Sequence, residues 1–472
     1  MTMRRTTGLL RVAGLILSLE IGMVWGGTDS VLLLYTCDLH DHVRPGYNGR
    51  GGLPYISGFV QQTRAKRKDV LLLDAGDVME KGDLVAFSTQ STLTYKAIGK
   101  IGYQAIAVGN HDWNYGPDFL RNCQLLMGKT RLLCANLLEE DRGLAFLPSA
   151  VFDIDGVRIG VVGLSRPDEI GWEKTIQTLR EECARLEPSV HLTIAVCHMG
   201  LDESLRLARE VPEVDIFVAG HTHDELEQPV AFKETGALVV QSRHDTEHVG
   251  WLDLTVDLDA RKITRTDGRL VPMDHRTVPV DRAMLQWIRE TERRECPEAN
   301  RRVGHSNRDL TLTETARLGA AALRQEANAD LGLCSAEEIV RGIVPRGPVD
   351  LNALFRTDGQ RGRRIYEVAL PGRVAQAYLD SLPGAGPMPG IDRVASEAGN
   401  QRLEPDRTYR LVIPEKQWRK SLRPFLAANS GGKSSVPPPT IGPFNFVEAL
   451  ARYCEKVEAT GAALDAHVAG LQ

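Results

Sequence analysis

The chain has 472 residues, about three domain lengths at roughly 150 residues each. Hydrophobic residues make up 42% and charged residues 25%, which excludes a disordered tail, a collagen-like repeat and a polytopic membrane protein. A net charge of −5 with no basic block argues against a nucleic-acid polymer as partner.

At the N-terminus, Arg4 and Arg5 precede an apolar stretch, Leu9 to Trp25, interrupted by Arg11 and Glu20. Its uninterrupted core, Val12–Leu19, is far shorter than the ~20 residues of a membrane span. Residues 1–27 read as a signal peptide or N-terminal targeting segment, with an uncleaved membrane tether as the alternative, so a periplasmic or secreted location is expected. Export would allow a Cys123–Cys134 disulfide.

From Ser30 to about Asp259 short β-rich runs alternate with polar loops and helix-length segments. The runs are Val31–Cys37, Val70–Leu73, Ala105–Val108, Arg131–Ala135, Val157–Gly163, His191–Cys197, Val214–Ala219, Ala237–Gln241 and Trp251–Val256. Several are apolar at every position, as expected of strands covered on both faces. Helices are expected over Tyr55–Arg67, Ser91–Ile101, Thr175–Arg185 and Ser204–Arg209, and a tight hairpin turn at Asp155-Gly156. The helix-favouring stretch Asp281–Arg294 reads as a bridge. A second unit follows, with a helix over Glu314–Ala327, strands at Arg364–Leu370 and Tyr409–Ile413, and mobile loops at Pro383–Gly390 and Ala428–Pro443.

Nine of the twelve histidines fall between His40 and His248, and the polar residues that follow the strands form one set. They are Asp38-Leu39-His40, Asp74-Ala75-Gly76-Asp77, Gly109-Asn110-His111-Asp112, His198, and Gly220-His221-Thr222-His223. Five successive loops thus present Asp, His or Asn at the carboxyl edge of a sheet, where α/β folds bind ligands. Imidazole and carboxylate suit Zn, Mn, Fe or Co, and no C-x-x-C pair competes. Seven such groups are too many for one tetrahedral ion but suit a pair about 3.5–4 Å apart sharing a carboxylate. Asp77 is the candidate for the shared one, because the preceding Gly76 lets the backbone turn closely around an ion. His42, His244 and His248 read as solvated loop histidines, His244 being a candidate to line the site. Cys37 and Cys197 read as small buried strand residues.

This order of motifs resembles the calcineurin-like metallophosphoesterases, and Gly51-Gly52-Leu53 places it nearest the bacterial 5′-nucleotidase family. The resemblance implies a four-layer α/β/β/α metallophosphoesterase domain over residues 28–275, a bridging helix or linker over 276–305, and an α+β C-terminal substrate domain over 306–472. It implies two divalent metal ions (Zn, Mn, Co or Fe). Asp38, His40, Asp77 and His223 would hold the first, and Asp77, Asn110, His198 and His221 the second. His111 would be the transition-state histidine, and Asp112 the carboxylate that orients it. The implied nucleophile is a metal-bridging hydroxide, since metal binding lowers the pKa of water from roughly 15.7 to about 7. The implied activity is hydrolysis of phosphate esters, 5′-nucleotidase-like, in nucleotide catabolism, with a small-molecule phosphate ester, by default a nucleotide, as partner.

The second unit departs from the family pattern. Arg341 falls at the arginine of the substrate loop, but Ala336-Glu337-Glu338-Ile339-Val340 replaces the glycines before it. After Tyr409–Ile413 stands Ile413-Pro414-Glu415-Lys416-Gln417-Trp418 in place of an aromatic loop. Asn110, Arg341 and Trp418 are the substrate candidates, and packing at the domain edge is the plainer reading of Trp418. The catalytic set is complete and the nucleoside clamp is not, so cyclic phosphodiesters, nucleotide-sugar pyrophosphates and the sulfur esters of the related thiosulfohydrolases stand as alternative substrates. A non-catalytic binding protein would have lost ligands or the His111-Asp112 pair, and it has lost neither.

Overall fold

The computed structural model describes residues 27–139, 143–144, 146–166, 170–336, 338–358, 364–382, 391–393, 402–429 and 439–471. Residues 1–26 of the expected targeting segment, the expected loop at 383–390 and most of the one expected at 428–443 lie outside the described residues.

Two six-stranded sheets stack face to face in the N-terminal half. The first runs Lys262–Pro272, His248–Asp257, Thr28–Thr36, Val70–Asp74, Ala105–Ala107, Arg131–Leu133. The second runs Val230–Ala231, Leu238–Val240, Ile216–Ala219, Leu192–Cys197, Val157–Leu164, Ser149–Ile154. Alternation of side chains divides each strand between two cores. Val31, Leu33, Leu71 and Leu73 meet Ile194, Val196, Ile216 and Val218 between the sheets. Leu32, Leu34 and Leu72 face the helices Leu53–Arg64, Thr92–Ile101 and Pro117–Leu126. On the far side, Ala195, Phe217 and Val239 pack under Trp172–Leu186 and Leu201–Glu210. The layers are α/β/β/α, and both faces of each sheet are covered, which is why these runs are apolar throughout.

The hairpin forms as its sequence predicts. Ile154 pairs with Val157, and Asp155 (φ 50°) and Gly156 (φ 94°) are both left-handed, as a two-residue primed turn requires. The strand Lys262–Pro272 was not among the expected runs. It pairs along His248–Asp257 at the sheet edge, and most of its residues are exposed, so no apolar run marks it.

The bridging helix is Arg282–Glu295, capped by Asp281, whose carboxylate accepts from the amides of Ala283 and Met284. Met284 and Ile288 join the core outside the first sheet. Beyond it a five-stranded mixed sheet, Ile391–Arg393, Leu331–Leu333, Thr408–Pro414, Ile365–Pro371, Thr440–Ile441, carries Leu312–Ala327 and Phe446–Ala459 on one face. Gly372–Ser381 and Arg423–Asn429 lie on the other, giving an α+β second unit.

All eight cysteines are buried and no disulfide forms among them, so the Cys123–Cys134 bond that export would allow is not made. No helix among the described residues is long and apolar enough to cross a membrane.

Candidate metal centre

The carboxyl ends of Thr28–Thr36, Val70–Asp74 and Ala105–Ala107 in one sheet meet those of Leu192–Cys197 and Ile216–Ala219 in the other. Backbone bonds knit the loops that leave them. Asp38 N donates to Gly76 O at 2.9 Å and His40 N to Asp77 O at 3.0 Å, while His221 N donates to Asp38 Oδ2 at 3.0 Å.

Two groups result, Asp38–His40–His223 and Asp77–His198–His221, each with ligand atoms within 4.8 Å of one another. In the first, Nε2 of His40 and Nε2 of His223 face each other at 3.0 Å, and Asp38 Oδ1 stands 3.4 Å from the latter. In the second, Asp77 Oδ2 stands 3.1 Å from His198 Nε2, and it also lies 4.0 Å from His40 Nε2 and so faces both groups. Asn110 is exposed beside them. Asp38, His40, Asp77, His221 and His223 all adopt left-handed backbone conformations, with φ between 48° and 86°. Such conformations persist where the surroundings over-determine them, and they gather at functional sites. Gly109 is required for a different reason: a Cβ there would lie 2.1 Å from Asp77 Oδ1.

The donor set fits divalent metal ions. Nδ1 of His198 lies 2.9 Å from Ala75 O and Nδ1 of His40 lies 3.3 Å from Met79 O, which turns each Nε2 toward the centre, where Asp77 and Asp38 raise the His198 pKa to about 9 against the opposing effect of burial. Nε2 of His198 is buried and makes no hydrogen bond. Arg166 approaches Nε2 of His221 at 2.9 Å, leaving Nδ1 as that ring's other donor atom. Burial and the ammonium of Lys81 push the His40 pKa well down, and burial with His198 and Arg166 pushes that of His221 to about 4, so both rings are neutral. Burial opposes charge on Asp77, but the facing His198 above all holds its pKa well below the usual carboxylate range.

His111 lies at the edge, its amide donating to Asp77 Oδ1 at 2.8 Å and its Nε2 3.9 Å from Asp77 Oδ2. The carboxylate against it is not Asp112 but Glu80, whose Oε2 is 2.7 Å from Nδ1. Asp112 is fully buried and faces the backbone instead: it accepts from the amides of Asp77, Val78, Met79 and Gly109 and from the Tyr95 hydroxyl. Its position in the motif suggested a partner for the adjacent ring, but the turn that follows points it inward.

A cleft of about 390 Å³ opens from the centre between the two halves of the chain. Lys81, Asp245, His244, Tyr47 and Arg341 line it. His42 and His244, expected to be solvated, each bind Asp245, at 3.2 and 3.0 Å, and His244 stacks on His223 with centroids 4.6 Å apart. Arg341 is thus brought to the cleft and Trp418 is not: it packs half-buried against Tyr366, centroids 6.2 Å apart, in the second unit's own core. Glu80, Lys81 and Asp245 escaped the motif reading. The one signal for the first two is a charged pair followed by Gly82 just after Asp77.

The model of the calcineurin-like phosphoesterase family matches residues 33–225. A 5′-nucleotidase of Vibrio cholerae is 24% identical over 82% of this chain and 84% of its own. The crystal structure of a 5′-nucleotidase precursor from Thermus thermophilus superposes with a TM-score of 0.69 at 20% identity, covering 91% of this chain and 97% of that one. A sulfate thiohydrolase from the same organism superposes at 0.66, with 16% identity and coverages of 90% and 94%.

Proposed function

We propose that this chain, a calcineurin-like metallophosphoesterase built on the two-domain 5′-nucleotidase plan, hydrolyses small phosphate esters at the junction of Asp38, His40, Asp77, Asn110, His198, His221 and His223. The observation that carries this reading is the pair of three-residue groups with Asp77 facing both. Asp38, His40 and His223 would hold one divalent ion and Asn110, His198 and His221 the other, with Asp77 shared. When bound, such ions acidify a water to a pKa of about 7 and offset negative charge on phosphoryl oxygens.

The remaining work falls to the chain. Buried neighbours turn Nε2 of His40 and His198 inward and keep the geometry fixed before substrate arrives. His111, beside Asn110 and aimed at the same centre, would donate to the phosphoryl or leaving-group oxygen as charge builds there. Arg341 and Lys81, from opposite walls of the cleft, would attract the ester's negative charge. The basic start and apolar core of residues 1–27 support export to the periplasm or beyond the cell.

The nucleotide is the reference substrate, but the cleft favours a second reading. Its described lining holds no Phe or Trp and a single Tyr, Tyr47, whose hydroxyl is bound to Asp350, so a base finds no pair of Phe, Tyr or Trp rings to stack between. The test is phosphate release from AMP, a 2′,3′-cyclic nucleotide, a UDP-sugar and glycerol phosphate by Mn-loaded protein, with sulfur esters assayed beside them. Comparable rates on AMP and glycerol phosphate are expected, with loss of turnover in EDTA and a loss of about 10²–10⁴-fold in His111→Ala. A strong AMP preference would overturn the second reading. Turnover of sulfur esters alone would overturn the first.

A further inference from the structure

We infer that Glu80 is the positioning residue of His111: its carboxylate fixes the tautomer and direction of that imidazole. The inference rests on the reading of His111 given above. Glu80 Oε2 lies 2.7 Å from His111 Nδ1, and Nε2 of the same ring looks toward Asp77 Oδ2, 3.9 Å away. An ionised carboxylate only accepts, so this bond holds a proton on Nδ1 and offsets the positive charge of the ring when Nε2 is protonated as well, the form in which Nε2–H is turned as a donor to the phosphoryl side. The second oxygen, Oε1, accepts from Asn114 Nδ2 at 2.7 Å, which stops the carboxylate from swinging.

The loop is bent to make this contact. Glu80 (φ 67°) and Lys81 (φ 75°) are consecutive left-handed residues, neither of them glycine. Glu80 N donates to Asp41 Oδ2 at 2.7 Å, and the same buried carboxylate takes the hydroxyls of Ser91 and Thr94. Gly82 then passes so close to Asp41 that a Cβ would lie 1.9 Å from its carbonyl carbon. Two strained residues in succession, tied down at both ends, mark a segment whose direction matters more than its ease of folding. Asp112 cannot take the role, because its two oxygens already serve four amides and a hydroxyl.

The test is a double-mutant cycle on the full chain loaded with Mn, using AMP and p-nitrophenyl phosphate, with metal content and circular dichroism recorded for each variant. We expect Glu80→Ala to lower kcat about 10–100-fold at unchanged KM and metal content. Glu80→Gln, which keeps an acceptor, should recover part of that loss. In a His111→Ala background the Glu80→Ala change should cost less than about twofold. In metal-free protein labelled with ¹⁵N-histidine, His111 should show one tautomer, protonated on Nδ1, and Glu80→Ala should release it to a mixture. Glu80→Ala as fast as the parent beside an inactive His111→Ala overturns this inference alone, as does a Glu80→Ala loss that persists in full without His111. His111→Ala as fast as the parent overturns the reading of His111 and this inference with it.

Discussion

Asp112 shows how much a single buried carboxylate can hold. It gathers four amides from the two loops that carry Asp77 and Asn110, and the Tyr95 hydroxyl besides. Asp112→Ala would leave these buried donors unpaired and should cost about 3–5 kcal/mol, read as a lower Tm in metal-free protein, where catalysis plays no part. The candidate ligands were legible because each closely follows an apolar run, but their expected place at the edge of one sheet was not met: Asp38, His40 and Asp77 leave one sheet and His198, His221 and His223 leave the other, and only the stacking of the two brings them together. Glu80 was not legible as a partner of His111, since 31 residues separate them and only the left-handed turn at Glu80 and Lys81 brings them together. Of the two readings of Trp418, a ring for stacking on substrate and a packed residue, the structure takes the plainer: Tyr366 and the second unit's core claim it.

Strands buried on both faces announced themselves, and Thr28–Thr36 and Val70–Asp74 lie within a residue or two of their apolar runs at most ends. The edge strand Lys262–Pro272 did not, because most of its residues are exposed and only Ile263, Leu270 and Val271 pack against the cores, too few to make an apolar run. The helix expected from Glu314 starts two residues earlier, at Leu312, because a side chain caps it there. Thr311 and Glu314 form a reciprocal capping box ahead of Leu312–Ala327, and Thr311→Ala should cost about 1 kcal/mol by thermal unfolding. Just before Ile216–Ala219, the half-buried Asp215 accepts from Thr193 N at 2.8 Å, and burial raises its pKa to about 6. Below pH ~4 it is protonated in folded and unfolded chain alike. Between ~4 and about 6 only the folded state keeps the proton, so stability falls as pH rises through that window. Asp215→Asn keeps the acceptor and removes the charge, so its Tm gain over the parent should be larger at pH 7.5 than at pH 4.5.

The halves of the molecule are joined by charge as well as by chain. Arg356 grips the fully buried Asp83 with two bonds of 2.7 Å and the Arg44 carbonyl with a third, while Asn352 donates to Asp83 at 2.8 Å and accepts from Leu84 N at 2.8 Å. No motif could disclose a pair 273 residues apart. Arg356→Ala strands the buried Asp83 charge and should cost about 3–5 kcal/mol, seen as a lower first unfolding transition in calorimetry. The eight buried cysteines, none of them in a disulfide, carry a different consequence. In the folded chain burial keeps thiolate scarce, raising the pKa of Cys123 and Cys183 to about 12 and of Cys296 to about 11, so the native protein should be indifferent to oxidants. The unfolded chain has no such protection, and eight free thiols admit on the order of a hundred fully paired connectivities, none of them native. Refolding from urea should therefore succeed with a reductant present and fail under mild oxidation, whereas the same oxidant added after folding should change nothing.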